Sequence, residues 1–185
     1  MTTLLLVRHG ATDWTGQLRL QGRTDIGLSE SGRLDAAALA PVVASWRPVS
    51  LVVSPLSRSR STASILTGLE PVIDDRWAEA GLGSWEGRRA DELGVDYARW
   101  RAGTLVPPGG EQPELVTERV RAATLAAVAA PGPVLVVTHG GTIRTALASF
   151  VGLTADHLEP VAAPSLTVLD VEPDGAARLR HYNLR

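Results

Sequence analysis

The stretch LLLVRHGAT, residues 4–12, decides the fold, because it runs from four apolar residues directly into a basic and polar turn. Four consecutive apolar residues predict a short strand that is buried on both faces, as in a parallel sheet. The same order returns in VVTHGGT, residues 136–142, where an apolar run again leads to a histidine and a glycine. Ligands of open α/β sheets bind beyond the carboxyl ends of the strands. We therefore predict that His9 and His139 converge at one edge of a sheet.

Apolar runs and helical patterns alternate through the rest of the chain. Residues 51–53 and 134–137 predict two more parallel strands, and residues 165–171 and 177–182 predict a closing hairpin. Four helices are expected. The first follows a Ser29 N-cap and has one face made of Leu34, Ala38, Val42 and Trp46, and the second contains Arg58, Thr62, Ile65 and Leu69. The third has Pro113 in its first turn and contains Leu115, Val120 and Leu125, and the fourth covers residues 142–150. This alternation predicts one α/β domain over residues 1–185, in three α/β/α layers with a mostly parallel sheet.

Residues 81–112 do not fit this alternation. The segment is rich in glycine and proline, carries Trp85, Tyr97 and Trp100 between charged residues, and is too long for an ordinary connection. We interpret it as a lid over a functional site. Its aromatic side chains either line a pocket or form a small core of their own, and the sequence leaves both alternatives open.

Composition excludes several classes of function. The 185 residues carry a net charge of -2 and 44% are hydrophobic, which gives no indication of binding to nucleic acid or to an anionic membrane. No apolar run approaches the ~20 residues of a membrane-spanning helix, and residues 1–7 lack the features of a signal peptide, so a cytoplasmic protein is expected. The chain has no cysteine, which excludes thiol nucleophiles and thiolate metal sites. All 18 basic residues are arginine, which excludes lysine chemistry.

Two histidines at strand ends can bind either a metal or an anion. Imidazole is a common zinc ligand, but Arg8 adjoins His9, and the histidines lack the i, i+4 spacing of a helical metal site. A guanidinium repels a cation and grips phosphate through two hydrogen bonds. The glycines after both histidines let backbone N–H groups approach an anion closely. We therefore predict a phosphate site without a metal.

Four blocks of the sequence, in this order, resemble the phosphoglycerate-mutase-like histidine phosphatases over nearly the whole chain. The blocks are Arg8-His9-Gly10 followed by Arg19, Gln21-Gly22, Asp25 and Leu28; Ser54-Pro55-Leu56-Ser57-Arg58 with Thr62-Ala63; Glu79 within residues 78–83, ahead of Trp85-Glu86-Gly87; and Thr138-His139-Gly140-Gly141. The resemblance implies a phosphoglycerate-mutase-like fold. It also implies a phosphomonoesterase that hydrolyses a small phosphorylated metabolite through a phosphohistidine and needs no cofactor.

The resemblance implies a role for each matching residue. His9 takes the place of the phosphorylated nucleophile, kept neutral by nearby positive charge and fixed at its other nitrogen by a backbone carbonyl. Glu79 takes the place of the acid that protonates the leaving oxygen. Arg8, Arg58 and His139 complete the catalytic set, and the expected substrate-binding residues are Arg8, Thr15, Gln21, Gly22, Arg58 and Gly140.

Two other functions stay open, a cofactor-dependent phosphoglycerate mutase and a non-catalytic module that binds a phosphorylated ligand. The short chain and Pro108-Gly109-Gly110-Glu111 favour the phosphatase, and no catalytic position is missing, as one normally is in binding modules. Thr15 departs from the family pattern, which often has asparagine there, and Ser59 and Ser61 replace alanine and glutamine. Outside the motifs we expect a structural ion pair for Arg144, bystander roles for His157 and His181, and solvated side chains for Arg60, Arg88, Arg89, Arg99 and Arg101.

Overall fold

The computed structural model describes residues 1–185 and contains six strands: β1 (Thr2–Arg8), β2 (Ser50–Val53), β3 (Pro71–Ile73), β4 (Val134–Thr138), β5 (Ser165–Val171) and β6 (Ala177–Leu184). They form one sheet in the order β3-β2-β4-β1-β5-β6. The first four strands run parallel to one another, whereas β5 is antiparallel to β1 and β6 is antiparallel to β5. The mostly parallel sheet and the closing hairpin are confirmed.

Seven α-helices accompany the sheet: α1 (Asp13–Gly16), α2 (Glu30–Ser45), α3 (Ser57–Leu66), α4 (Ala90–Leu93), α5 (Val95–Arg101), α6 (Pro113–Val128) and α7 (Gly140–Val151). Helices α2 and α3 pack on one face of the sheet, and α6 and α7 pack on the other. Side chains of β1 alternate between these two cores, with Leu4 and Leu6 in one and Leu5 and Val7 in the other. This confirms the three layers. No helix combines the length and the apolar character needed to cross a membrane.

The predicted helix faces need correction. The buried face of α2 is Gly32, Ala36, Leu39 and Val43, whereas Leu34 is 67% exposed. Gly32 lies directly against the backbone of Ala11, where a Cβ atom would clash, so the face with small residues turns toward the sheet. In α3, Arg58 and Thr62 are buried, but the helix ends before Leu69. In α6, Pro113 begins the helix as expected, and the buried face includes Val116 and Val120, with Leu115 and Leu125 exposed.

The segment 81–112 crosses the edge of the sheet beside the histidines as a 3-10 helix (Gly83–Trp85), two short α-helices and several turns. Helices α4 and α5 lie within it, and a single β-bridge joins Arg89 to Arg19. Glu111, near its end, pairs with Arg119 of α6 at 2.8 Å and with Arg23 at 3.1 Å. The segment is therefore tied to the body of the fold at both places.

Candidate active site

The two strand-end histidines lie side by side. The parallel register of β1 and β4 places Arg8 opposite Thr138, so His9 and His139 leave the sheet together. The N–H of His9 donates to the carbonyl of Thr138 at 3.0 Å. The ring centroids are 5.1 Å apart and the ring planes are 62° from parallel. The predicted convergence of the two histidines is confirmed.

His9 is held as a neutral imidazole in one tautomer. Its Nδ1 lies 2.7 Å from the carbonyl oxygen of Gly10, which can only accept, so Nδ1 carries the proton and Nε2 keeps its lone pair. Burial lowers the pKa of His9 well below 6.5, and the nearby His139, Arg8 and Arg58 lower it further. At neutral pH the side chain therefore has an unprotonated Nε2, the form that can attack an electrophile. The backbone acceptor that the sequence left unnamed is Gly10.

Arg58, the second residue of α3, reaches the same nitrogen. The side chain is fully buried, and its Nε donates to Nε2 of His9 at 3.2 Å. Its Nη1 donates to the carbonyl of Thr24 at 2.8 Å and its Nη2 to that of Gly22 at 2.7 Å. Gly22 has a φ of +53° and leaves no room for a Cβ atom beside the carboxylate of Glu86. The loop 22–24 thus depends on glycine in order to fix the Arg58 guanidinium.

Arg8 ends β1 on the other side of His9. Its Nη1 donates to the carbonyl of Val161, and its buried Nε has no partner. Burial lowers the pKa of Arg8 to about 10, with Glu79 opposing and Arg144 and Arg58 adding to the shift. A buried guanidinium with an unused N–H is well suited to bind an anion.

His139 is fully buried beside His9 and does not itself line the cavity. Its Nε2 lies 2.7 Å from Oγ of Ser54, and that oxygen accepts from the N–H of Leu56 at 3.4 Å. The hydroxyl of Ser54 and Nε2 of His139 share a hydrogen bond whose direction depends on the tautomer of the ring. Burial, followed by Arg58 and Arg8, lowers the pKa of His139 well below 6.5. Nδ1 is buried and has no partner in the protein.

Glu79 approaches the histidines from the loop that follows β3. Its Oε2 accepts from the N–H of Gly141 at 3.0 Å, and its Oε1 accepts from the N–H of Ala80 at 3.0 Å and from Oγ1 of Thr142 at 3.3 Å. A Cβ atom at position 141 would displace this carboxylate, so the glycine near the start of α7 leaves room for Glu79. These bonds hold the carboxylate over the N-terminus of α7.

Glu86, a neighbouring carboxylate, has a structural role. It accepts from the N–H groups of Leu82, Arg23 and Thr24 and from the hydroxyl of Thr24. Burial alone would raise the pKa of Glu86, but these hydrogen bonds lower it below its ordinary value. Glu86 does not line the cavity at His9, so Glu79 is the carboxylate in the site.

The predicted residues surround one cavity of about 250 Å³. Among its lining residues are seven that the sequence identified: Arg8, His9, Gln21, Gly22, Arg58, Glu79 and Gly140. Of the other two predicted residues, His139 is buried beside His9 and Thr15 lines a neighbouring cavity with Arg8. The hydroxyl of Thr15 accepts a hydrogen bond from Nε2 of Gln21 at 3.0 Å. The structure therefore places Thr15 behind Gln21 and gives it no direct access to a ligand at His9.

The lining also includes residues that sequence reasoning missed. Arg101, expected to be solvated, and Arg144, expected to form an ion pair, both line the cavity, and Arg144 has no ion-pair partner. Tyr97 and Trp100 line it as well, whereas Trp85 is buried behind Trp100 with ring centroids 6.2 Å apart. Tyr97 and Trp100 therefore line the pocket, while Trp85 belongs to a small core behind them, so each of the two alternatives describes part of the segment. The position of Arg144 in the family motif after His139 could have identified it as a site residue, but no feature of the sequence distinguished Arg101 from the other arginines.

The charge of the site is that of an anion-binding site. No group of three or more His, Asp or Glu side chains is arranged to hold a metal ion. Arg8 and Arg58 flank a neutral imidazole at the carboxyl ends of parallel strands, and α7 begins at the same place. This combination defines an α/β protein with a site for phosphoryl transfer.

Comparison with known proteins agrees with this class. The histidine phosphatase superfamily (branch 1) matches residues 4–184, and the chain belongs to that family. Glucosyl-3-phosphoglycerate phosphatase of Mycolicibacterium vanbaalenii is 34% identical over 179 residues, covering 83% of this chain and 76% of that protein. A probable phosphoglycerate mutase of Erwinia tasmaniensis is 30% identical over 167 residues, covering 84% and 78%.

A solved structure of mycobacterial glucosyl-3-phosphoglycerate phosphatase in complex with VO3 superposes on the fold with a TM-score of 0.90. Its sequence is 33% identical, and the match covers 100% of both chains. Together with the family, this shows that the chain is an enzyme, a phosphomonoesterase that acts on a small phosphorylated metabolite.

Proposed function

We propose that the enzyme hydrolyses its substrate in two steps through a phosphohistidine at Nε2 of His9. In the first step the Nε2 lone pair attacks phosphorus, and the bond between phosphorus and the leaving oxygen breaks. Glu79 gives its proton to that oxygen, which departs as an alcohol. In the second step Glu79 takes a proton from water, the water oxygen attacks phosphorus, and the P–N electron pair returns to Nε2.

Arg8, Arg58 and His139 bind the non-bridging oxygens in this proposal. Phosphoryl transfer needs mainly positioning and neutralisation of charge. The unused Nε–H of Arg8 is a donor for a phosphate oxygen, and the buried Nδ1 of His139, which has no partner in the protein, supplies a second donor when it carries the ring proton. Arg58 is close enough to His9 to share its Nε–H with a bound phosphate. Because guanidinium groups supply the positive charge, we propose that turnover needs no metal ion. The expected cytoplasmic location stays a prediction of the sequence.

One observation carries the proposal: the hydrogen bond from Nδ1 of His9 to Gly10, which leaves Nε2 unprotonated beside two arginines. The test is rapid acid-free quenching of the enzyme with substrate labelled in its phosphate. We expect a protein adduct that is labile in acid and stable in base. The adduct should be absent from the His9→Ala variant and present in His181→Ala, which removes a histidine packed against Trp46 outside the site. Label retained by His9→Ala contradicts the proposal.

A further inference from the structure

Positive charge in the cavity exceeds what one phosphate group needs. Five arginine side chains line it, and Glu79 is the only carboxylate among the lining residues. A phosphate monoester brings at most two negative charges. Charges gathered in a partly buried space need partners of opposite sign. The surplus therefore indicates a ligand with more negative charge than one phosphate group.

Three of the five guanidinium groups already have protein partners. Arg8 donates to Val161, Arg58 to the carbonyls of the 22–24 loop, and Arg19 to the carbonyl of Gly87 at 2.6 Å. The other two are Arg101 and Arg144, which are half-buried and form neither an ion pair nor a hydrogen bond with any protein group. Their N–H donors are free for a ligand.

Two separate elements bring these free charges together. Arg101 is the last residue of α5, in the 81–112 segment, and Arg144 lies in the first turns of α7. Burial lowers the pKa of Arg144, and the negative charge of Glu79 opposes this shift. The positive charge of Arg101 lowers the pKa further, so the two guanidinium groups repel each other. Like charges at short range repel, so this arrangement is least costly when an anion lies between them.

We propose that Arg101 and Arg144 form a second anion subsite, and that the substrate is a small phosphate monoester with a further anionic group, a carboxylate or a second phosphate. The inference rests on the proposed function, because it takes the reacting phosphate to lie at His9. A guanidinium binds either group through two parallel N–H donors. The subsite selects the substrate and takes no part in breaking the P–O bond.

Matched substrates test the subsite. 3-Phosphoglycerate and glycerol 3-phosphate present the same phosphorylated CH2–O group and differ by a carboxylate, while fructose 1,6-bisphosphate and fructose 6-phosphate differ by a phosphate. We expect kcat/KM to be about 10- to 100-fold higher for the more anionic member of one pair. The ratio should fall toward one in Arg101→Gln and Arg144→Gln and be partly kept in Arg101→Lys. Arg99→Gln, exposed on the same helix and paired with Asp96, should keep the wild-type ratio.

The pair that shows the preference identifies the second group as carboxylate or phosphate. A wild-type ratio near one in both pairs overturns the subsite, and so does a ratio that survives both glutamine substitutions. Neither result affects the proposed hydrolysis. Failure of the proposed function is distinct, because then none of the four esters releases phosphate and His9 acquires no label.

A different observation concerns the loop that carries Glu79. Arg119 of α6 and Glu111 form the least exposed ion pair of the protein, with side chains 14% and 15% exposed and two parallel N–H···O contacts of 2.8 and 3.0 Å. Nη1 of Arg119 also donates to the carbonyls of Arg76 and Ala78, each at 2.7 Å. Glu111 accepts from the N–H of Gly81 at 3.2 Å. The pair therefore holds the backbone on both sides of Glu79.

We infer that Arg119 and Glu111 are positioning residues for Glu79. This inference rests on the proposed function, in which Glu79 gives a proton to the leaving oxygen. Small misplacements of a catalytic group reduce rates strongly, because proton transfer requires hydrogen-bond distance. Loosening residues 76–81 should therefore impair proton transfer more than binding of the phosphate, which depends on other elements.

The experiment compares glycerol 3-phosphate, whose leaving group needs a proton, with p-nitrophenyl phosphate, whose leaving group does not. For Glu111→Gln and Arg119→Lys we expect about a tenfold or larger loss of kcat with the first substrate and a clearly smaller loss with the second. Glu118→Gln, exposed on the same helix, is the control. Thermal unfolding of each variant separates folding defects from kinetic ones.

Equal losses with both substrates show a merely structural pair and overturn this inference. If Glu111→Gln does not fold, Arg119→Lys decides, since it keeps the positive charge and loses the planar contact with Glu111 and the directed donors to the carbonyls of Arg76 and Ala78. The proposed role of Glu79 fails separately, when Glu79→Gln itself shows no dependence on the leaving group.

Discussion

Nε of Arg58 lies 3.2 Å from Nε2 of His9, so a fully buried guanidinium donates to the atom that we propose attacks phosphorus. The two Nη groups of Arg58 are held by backbone carbonyls of Gly22 and Thr24, which limits how far the side chain can move. An arriving phosphate oxygen can take over the Nε–H bond, and the lone pair of His9 is then free. Arg58 thus keeps the nucleophile in its reactive tautomer before substrate binds and neutralises the phosphate afterwards.

The first prediction is that Arg58→Lys loses about 100-fold in kcat/KM, because an ammonium cannot reproduce three directed N–H bonds from one plane. Steady-state hydrolysis of p-nitrophenyl phosphate measures this loss. Arg60→Lys is the matched control, since Arg60 is exposed on the same helix. Arg58→Lys with nearly wild-type kcat/KM contradicts the role assigned to Arg58.

The second prediction concerns acid stability. The pKa values of His9 and His139 are well below 6.5 in the folded protein, whereas an unfolded histidine titrates near 6.5. Below that pH the unfolded chain binds protons that the folded chain does not, so the free energy of unfolding falls as pH falls. Above pH 6.5 this contribution is constant. Each histidine should lower the free energy of unfolding by up to about 1.4 kcal/mol for every pH unit below pH 6.5.

Urea unfolding between pH 7.5 and 5.5 measures this dependence. His139→Asn should have the shallower slope below pH 6.5, because one of the two buried histidines is gone. His157→Asn is the control for removing an exposed histidine. A His139→Asn slope equal to that of the wild type would mean that His139 is not held neutral by burial.

The third prediction is that activity survives EDTA and that vanadate inhibits competitively. Arg8 and Arg58 already supply the fixed charge that a metal would provide as a Lewis acid. Vanadate can form a five-coordinate species like the phosphorus of the transition state. Phosphate release is measured with and without EDTA and across a vanadate series. Complete loss in EDTA with recovery on adding a divalent ion would contradict metal-independent turnover.

The central fold could be predicted because β1 and β4 are buried on both faces and therefore read as unbroken apolar runs. The buried face of α2 could not be predicted, since a row of residues through Leu34 and a row through Leu39 both fit the helical period. The choice depends on how closely Gly32 approaches Ala11, which is a tertiary contact. Strand β3 was missed because three exposed residues carry no periodic signal.

Some residues of the candidate site could likewise be predicted from the sequence, and others could not. His9, Arg58 and Glu79 could be placed because each lies within a recognisable block of sequence. Arg101 could not, because its position over the cavity depends on how the short helix α5 packs across the sheet edge. Thr15 was expected at the ligand from its place in the chain, but the side chain of Gln21 stands in front of it.

The fourth prediction is hydrolysis in preference to mutase activity. The reason is the segment Pro108-Gly109-Gly110-Glu111, which resembles the phosphatase branch of the family more than the mutases. The assay supplies 3-phosphoglycerate with its bisphosphate activator and follows 2-phosphoglycerate and free phosphate together. We expect phosphate release to be the faster process. Faster formation of 2-phosphoglycerate would favour the mutase.

The last prediction is that the effect of Glu79→Gln depends on the leaving group. An alkyl phosphate leaves as a strongly basic alkoxide and needs a proton in the transition state, whereas nitrophenolate leaves without one. General acid catalysis is typically worth ~100- to 10,000-fold, so kcat should fall by about that factor with glycerol 3-phosphate and much less with p-nitrophenyl phosphate. Glutamine keeps the size of the side chain and its acceptor for the N–H of Gly141.

The comparison separates the proton donor from a structural carboxylate. The negative charge of Glu79 raises the pKa values of both Arg8 and Arg58, so a structural role would act through these two side chains. Phosphate binding itself would then weaken, and both substrates would lose rate about equally. Glu86→Gln provides the contrast: Glu86 holds residues 22–24 through hydrogen bonds but does not line the cavity. Its loss should therefore affect both substrates alike, and a similar pattern in Glu79→Gln would remove Glu79 from the acid role.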